Sequence, residues 1–277
     1  MKTLTDHTLI YDKDCPMCVG YTSAFIKTGM LDNNGREAFS EMSSQTQAVL
    51  SIEKAADEIA LVDRTTGNVL YGIDSMLKVI GNAIPLVAIV GHWRPINFLL
   101  KKIYKFISYN RKVIIPNMPR PNNTLQCVPT FNYTYRWLFI IVATIFTGLI
   151  LNSYGNVLAA FLPTAGLSRE LSIASGQIAF QALILQSFSR KTIVNYLGNM
   201  TTISLGGSLL LSVYLLFNSF ISLTPFIGLL WFGIVFTLML IEHIRRVKLL
   251  GLPSLLTISW VLYRCLVLIL IYFDSYH

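Results

Sequence analysis

Charged side chains are scarce in this chain. Asp, Glu, Lys and Arg make up 13% of its 277 residues, while 53% are hydrophobic. That is about half the charge of an ordinary soluble domain, so a wholly soluble protein is excluded and a membrane-inserted portion is expected. Histidine is scarce as well: His7, His92, His243 and His277 are scattered, leaving no pair at haem or zinc spacing. Of the four cysteines, only Cys15 and Cys18 stand close together, with Cys127 and Cys265 isolated. That pattern does not make a secreted disulfide framework. The opening "MKTLTDHTLIYDKD" has no apolar stretch of signal-peptide length and no small-residue cleavage site, so the first domain is expected in the cytoplasm. The formal charge of +8 and pI near 9.3 do not signal nucleic acid. The basic residues cluster at the ends of apolar segments, where membrane topology accounts for them, and form no stripe interleaved with aromatics.

What charge there is lies mostly in the first part. Residues 1–120 carry 14 basic and 11 acidic side chains, and the remainder carries 8 and 3. Within this polar part, "HTLIYD" (His7 to Asp12) reads as a short buried strand. "CPMCVGYTSAFIKTGML" follows with Val19, Phe25, Ile26 and Met30 near helical spacing. "EAFSEM" reads as a strand, "SQTQAVLSIEKA" as a helix, "EIALVDRTTGNVLYG" as a hairpin and "IDSMLKVIGNAI" as a helix. Strand, helix, strand, helix, hairpin, helix is the order of a thioredoxin-like α/β layer sandwich. In "IPLVAIVGHWRPINFLLKKIYKFISYNRK", Pro85, Gly91, Arg94 and Pro95 interrupt the apolar run. Pro95 suits the first turn of a second helix, whose Phe98, Leu99, Ile103, Phe106 and Ile107 share a face while Lys101, Lys102 and Lys105 stay wet. This helix is expected to lie close to a membrane without spanning it.

The Pro- and Asn-rich stretch Ile114 to Asn132 reads as a linker. The expected organisation is a domain over 1–115, a linker over 116–135 and an all-α membrane domain over 136–277. Five apolar runs approach the roughly 20 residues that cross a bilayer: Trp137 to Val157, Leu171 to Phe188, Met200 to Ile221, Phe226 to Ile244 and Leu252 to Phe273. Lys101 to Arg136, Arg190 with Lys191, and Arg245, Arg246 with Lys248 flank alternate runs, which puts the N-terminus inside. The expected location is a bacterial inner (cytoplasmic) membrane.

If a strand ends near Asp12 and a helix opens at Cys15, then Cys15 is its N-cap, Pro16 occupies N1 and Cys18 falls at N3. Free amide donors and the positive end of the helix dipole favour a thiolate on Cys15, making it the attacking sulfur, with Cys18 resolving a mixed disulfide. Asp14 opposes that thiolate. The spacing therefore predicts a modestly lowered Cys15 pKa and a comparatively reducing pair. Half of a metal site and two inert buried cysteines remain the competing readings; the first lacks a second Cys or His pair.

"IYDKDCPMC" resembles the opening strand and Asp-Cys-Pro-x-Cys motif of the DCC family of thiol-disulfide oxidoreductases, with Asp12, Asp14, Cys15, Pro16 and Cys18 matching. "VLYGIDSMLKVI" resembles the family's mid-domain signature. "IYKFISYNRKVI" is similar to its closing helix, where Tyr104, Asn110 and Arg111 match. The resemblance covers about residues 7 to 115. It implies catalysis by Cys15 and Cys18 supported by Asp12, Asp14, Pro16, Asn110 and Arg111, with Arg111 either holding an aspartate or ending a solvated helix. Tyr104 is expected in the core. Lys13 stands where the family pattern has glycine, and no proline precedes "EIALVD", where thioredoxins and glutaredoxins place a cis-proline.

In the apolar half, Arg264 and Glu242 are the conspicuous charges, with pairing or snorkelling as alternatives. Gln177 and Gln181 share a helix face, and "SLGGS" reads as a close helix contact through Ser204 and Ser208. Cys127 is expected as an incidental thiol, with exchange with the Cys15 pair across a flexible linker as the alternative, and Cys265 as inert. The resulting expectation is a membrane-anchored thiol-disulfide oxidoreductase that needs no organic cofactor and acts on a thiol or disulfide partner, a protein. The alternatives are a transporter or scaffold with a non-catalytic N-terminal module, or a metal- or small-molecule-binding module.

Overall fold

A computed structural model describes residues 2–116, 125–164 and 166–274. The chain divides into two compact units, Met1–Tyr135 and Arg136–His277. Of the expected linker, residues 117–124 lie outside the described residues.

The first unit contains strands β1 (His7–Tyr11), β2 (Arg36–Ala38), β3 (Ala60–Asp63) and β4 (Val69–Tyr71) in the order β2-β1-β3-β4. β1 runs parallel to β2 and antiparallel to β3, and β3 pairs antiparallel with β4 through the predicted hairpin. Alternation along the strands sends side chains to opposite faces. Leu9 and Leu61 pack with Phe25 and Val79, while Ile10, Ala60 and Val62 pack with Phe39, Met42, Leu50 and Ala55. With helices covering both faces, this is a thioredoxin-like α/β sandwich.

Helix α1 (Pro16–Lys27) ends in a Schellman arrangement, which keeps Met30 off the helix where the apolar spacing places it. Gly29 takes φ +70°. Its N–H donates to the Ile26 carbonyl, and that of Met30 to the Phe25 carbonyl. The strand expected over "EAFSEM" is cut to β2 because Phe39 turns inward as a 3-10 turn begins. Where the pattern predicts one helix over "SQTQAVLSIEKA", there are two, α2 (Ser44–Val49) and α3 (Ile52–Asp57). Leu50 leaves helical conformation to enter the core, and the Ser51 side chain caps the second helix through the Lys54 N–H. Helices α4 (Ile73–Ala83), α5 (Pro85–His92) and α6 (Arg94–Ile114) complete the unit, with α5 opening on Pro85 and α6 carrying Pro95 in its first turn.

The second unit is helical: α7 (Tyr133–Val157, entering from the first unit), α8 (Leu167–Ile184), α9 (Arg190–Phe220), α10 (Pro225–Leu249) and α11 (Leu255–Asp274). Among the described residues, four of these, α7, α9, α10 and α11, are long and apolar enough to cross a membrane. The remaining expected span, Leu171 to Phe188, is shifted toward the N-terminus as α8, 18 residues whose first turn holds the ion-paired Arg169 and Glu170 and whose buried side chains are Gln177 and Gln181. Ser204 and Ser208 bond carbonyls of their own helix. The close approach at this point is made by Gly207, where a Cβ would clash with Met239 Sδ.

Candidate functional site

β1 delivers Asp12 to the end of the sheet, and the chain turns through Lys13 and Asp14 into α1. Asp12 shapes that turn, its Oδ1 accepting from the Asp14 N–H at 3.0 Å and its carbonyl from the Cys15 N–H at 3.1 Å. The turn requires no glycine, because Asp6 is the one non-glycine residue with positive φ among those described. Lys13 therefore fits, and its ammonium pairs with Glu41. Cys15 takes the extended N-cap conformation (φ −102°, ψ 109°), followed by Pro16. Both thiols are buried: Cys15 is 1% exposed and Cys18 5%.

The two sulfurs are electrostatically unlike. Hydrogen bonds from the Cys18 thiol and backbone N–H to the Cys15 sulfur lower the Cys15 pKa from 9.0 to about 6, against the effect of burial. The Arg111 charge adds to the lowering and the Asp12 carboxylate opposes it. Donation to Cys15 and burial push the Cys18 thiol well above its usual range. The spacing predicts a smaller shift on Cys15 with Asp14 as the opposing carboxylate. The difference arises because a thiol donor one turn away bears directly on the sulfur, and because Asp12 is the acid buried beside it.

Arg111, 5% exposed near the end of α6, reaches this loop. Its Nη2 donates to the Ala56 carbonyl at 2.8 Å and lies 3.7 Å from Asp12 Oδ2, which Lys112 Nζ also approaches at 2.9 Å. The reading of Arg111 as a holder of Asp12 therefore has its geometry, and the solvated helix end does not. Asn110 lies elsewhere, its Nδ2 donating to the carbonyls of Phe106 and Tyr135. Tyr104 packs in the core and its Oη accepts the Ile59 N–H at 2.9 Å, at the head of β3. A backbone donor is thus in use next to the position where a proline is missing.

Two neighbours are not evident from sequence. Tyr21, one turn beyond Cys18 on α1, hydrogen-bonds the Cys18 sulfur, and only its helical offset points to it. Cys127 folds back onto the domain, where its Sγ accepts from Arg111 Nη2 at 3.1 Å and burial raises its pKa to about 11. Distance in sequence hides that contact.

In the second unit, Arg264 does not pair with Glu242. Its guanidinium sits 4.3 Å from the Trp260 ring centroid, and Glu242 pairs with Arg245 and Arg246 one turn along its own helix. Gln181 bonds Ser259 and Tyr196, and the Tyr196 hydroxyl lies 3.1 Å from His243 Nε2. His243 thus joins a buried polar network that its isolation in sequence does not suggest. Cys265 faces outward from α11.

Among the described residues, no group of three or more His, Cys, Asp or Glu side chains gathers to hold a metal. No curated protein and no solved structure matches the chain. Residues 9–115, which contain the sheet, the dithiol and α6, match the family model for DCC1-like thiol-disulfide oxidoreductase.

Proposed function

We propose that this protein is a membrane-anchored thiol-disulfide oxidoreductase in which Cys15 attacks and Cys18 resolves. The observation that carries the reading is the placement of the pair, with Cys15 at the extended N-cap of α1 ahead of Pro16 and Cys18 within its first turn, an arrangement that lowers the Cys15 pKa to about 6 and raises that of Cys18. The Cys15 thiolate attacks a disulfide RSSR′, forming Cys15–S–S–R and releasing R′S⁻. Cys18 then loses its proton and attacks the Cys15 sulfur, releasing RS⁻ and closing the Cys15–Cys18 disulfide. A dithiol reductant returns the pair to its starting state by accepting that disulfide.

The chemistry needs no organic cofactor, and we take the partner to be a protein. Asp12 and Asp14 shape the active loop, Pro16 opens α1, Arg111 supplies positive charge, and Asn110 anchors the end of α6 that carries it. We place the catalytic domain within 1–115, a connecting segment over 116–135 and the anchor over 136–277, in a bacterial inner membrane with the dithiol in the cytoplasm. The basic flanks support this orientation when α8 also crosses. Its 18 residues extend about 27 Å at 1.5 Å per residue, near the roughly 30 Å hydrocarbon thickness.

The test is disulfide reduction by the full chain in lipid, with Cys15→Ser and Cys18→Ser alongside. Loss of turnover in Cys15→Ser and accumulation of a mixed disulfide in Cys18→Ser are expected. Equal activity in all three proteins would overturn the reading.

A further inference from the structure

The apolar stripe on α6 is turned away from the domain it belongs to. Tyr104, Ser108 and Arg111 face inward, while Phe98 is 65% exposed and Leu99, Ile103 and Ile107 are exposed with it. The preceding helix continues the patch with Ile89 at 71%, and Trp93 at 63% lies between the two helices. Amphipathic helices in soluble domains place such a stripe against the core. Here the core is closed without it.

Charge narrows what can cover this face. Residues 85–114 contain six Lys or Arg and no Asp or Glu. Lys101 and Lys105 approach Asp74 and Glu58 at 2.9 and 3.7 Å, and Lys102 lies over the Phe98 ring at 5.4 Å. A wedge of Leu, Ile, Phe and Trp bordered by basic residues fits the headgroup zone of an anionic bilayer. The bilayer is also within reach. Tyr135, the last residue of the first unit, accepts from Asn110 Nδ2 through its carbonyl at 3.0 Å and stacks on Tyr109 with centroids 5.2 Å apart, and the chain continues directly into the rest of the membrane-length helix.

We propose that the exposed α5–α6 face is an interfacial docking surface that seats the N-terminal domain on anionic lipid. The aliphatic and aromatic side chains enter the headgroup boundary while Arg94 and Lys102 meet lipid phosphates. The inward face of α6 keeps Arg111 beside Cys15 and Cys18, so docking holds the dithiol near the membrane surface. The proposal rests on membrane anchoring but not on the dithiol chemistry.

A fluorescent amino acid placed at position 98 or 89 of the full chain tests it, with position 45 as control. Gln45 is exposed on α2, whose flanking Met42 and Leu50 pack on the other face of the sheet. The protein is reconstituted in nanodiscs of phosphatidylglycerol or phosphatidylcholine carrying doxyl lipid, and co-elution with the discs reports anchoring separately. Strong doxyl quenching at 98 and 89 but not at 45 is expected in phosphatidylglycerol. R94Q/K102Q should lower the docking constant roughly 30-fold, from the contribution of two surface cations. Equal quenching at 98 and 45, or a signal at 98 insensitive to both lipid charge and R94Q/K102Q, overturns the proposal. Shielding of residue 98 found only in discs holding two chains also overturns it, because that assigns the face to a second copy.

Discussion

Arg111 donates from Nη2 to Cys127 Sγ at 3.1 Å, and the same nitrogen lies 3.7 Å from Asp12. One guanidinium therefore joins the loop before the dithiol to a residue more than a hundred positions away. Arg111→Lys keeps the charge, but its ammonium ends about one bond length short of the Nη2 that meets Ala56 and Cys127. Loss of these buried bonds should cost about 1–3 kcal/mol. Thermal unfolding of the full chain, with Cys127→Ala as a milder companion, checks this; no change in the Arg111→Lys midpoint would contradict it.

The alkylation rate of Cys15 should rise with pH through an inflection near 6, as the thiolate forms, and then level off. Because the Cys18 thiol is the largest cause of the lowering, Cys18→Ala should move the inflection upward. Burial should at the same time hold the plateau rate well below that of an exposed thiolate. Mass spectrometry of the Cys15 peptide after timed iodoacetamide pulses measures both, and an inflection near 9 in the parent protein would refute the assignment.

Tyr104→Phe removes the acceptor of the Ile59 N–H while leaving the ring in place. Ile59 is buried, so the stranded donor should cost about 1–3 kcal/mol. Faster amide exchange at Ile59, with α6 still formed, is the expected sign.

Gly207 allows α9 to approach α10 at Met239. Gly207→Ala should be tolerated because the methionine side chain can swing aside. Gly207→Leu should lose about 1–3 kcal/mol through overpacking, read as a lower midpoint for heat aggregation in detergent. Equal midpoints for the two variants would contradict a close approach.

The local part of the site is legible in sequence because its causes are local. Pro16 suits N1, two residues separate Cys15 from Cys18, and the short apolar run in "HTLIYD" makes a buried strand, so the placement of both thiols follows from residues 7–18. The membrane-length helices are equally legible, since crossing a bilayer demands length and apolarity. α8 is the exception, because it opens before the expected run and so takes the ion-paired Arg169 and Glu170 into its first turn.

Residue order alone specifies which residues could react, which stretches could be strands or spans, and that one basic helix would carry an apolar stripe. Tertiary structure decided the rest, because burial and charge at a point depend on segments remote along the chain. It decided that Asp12 bears on Cys15, that Arg111 and Cys127 converge, that Arg264 meets Trp260 and not Glu242, and that the α6 stripe faces outward. Periodicity can assign residues to one side of a helix, but only packing decides which side meets the core.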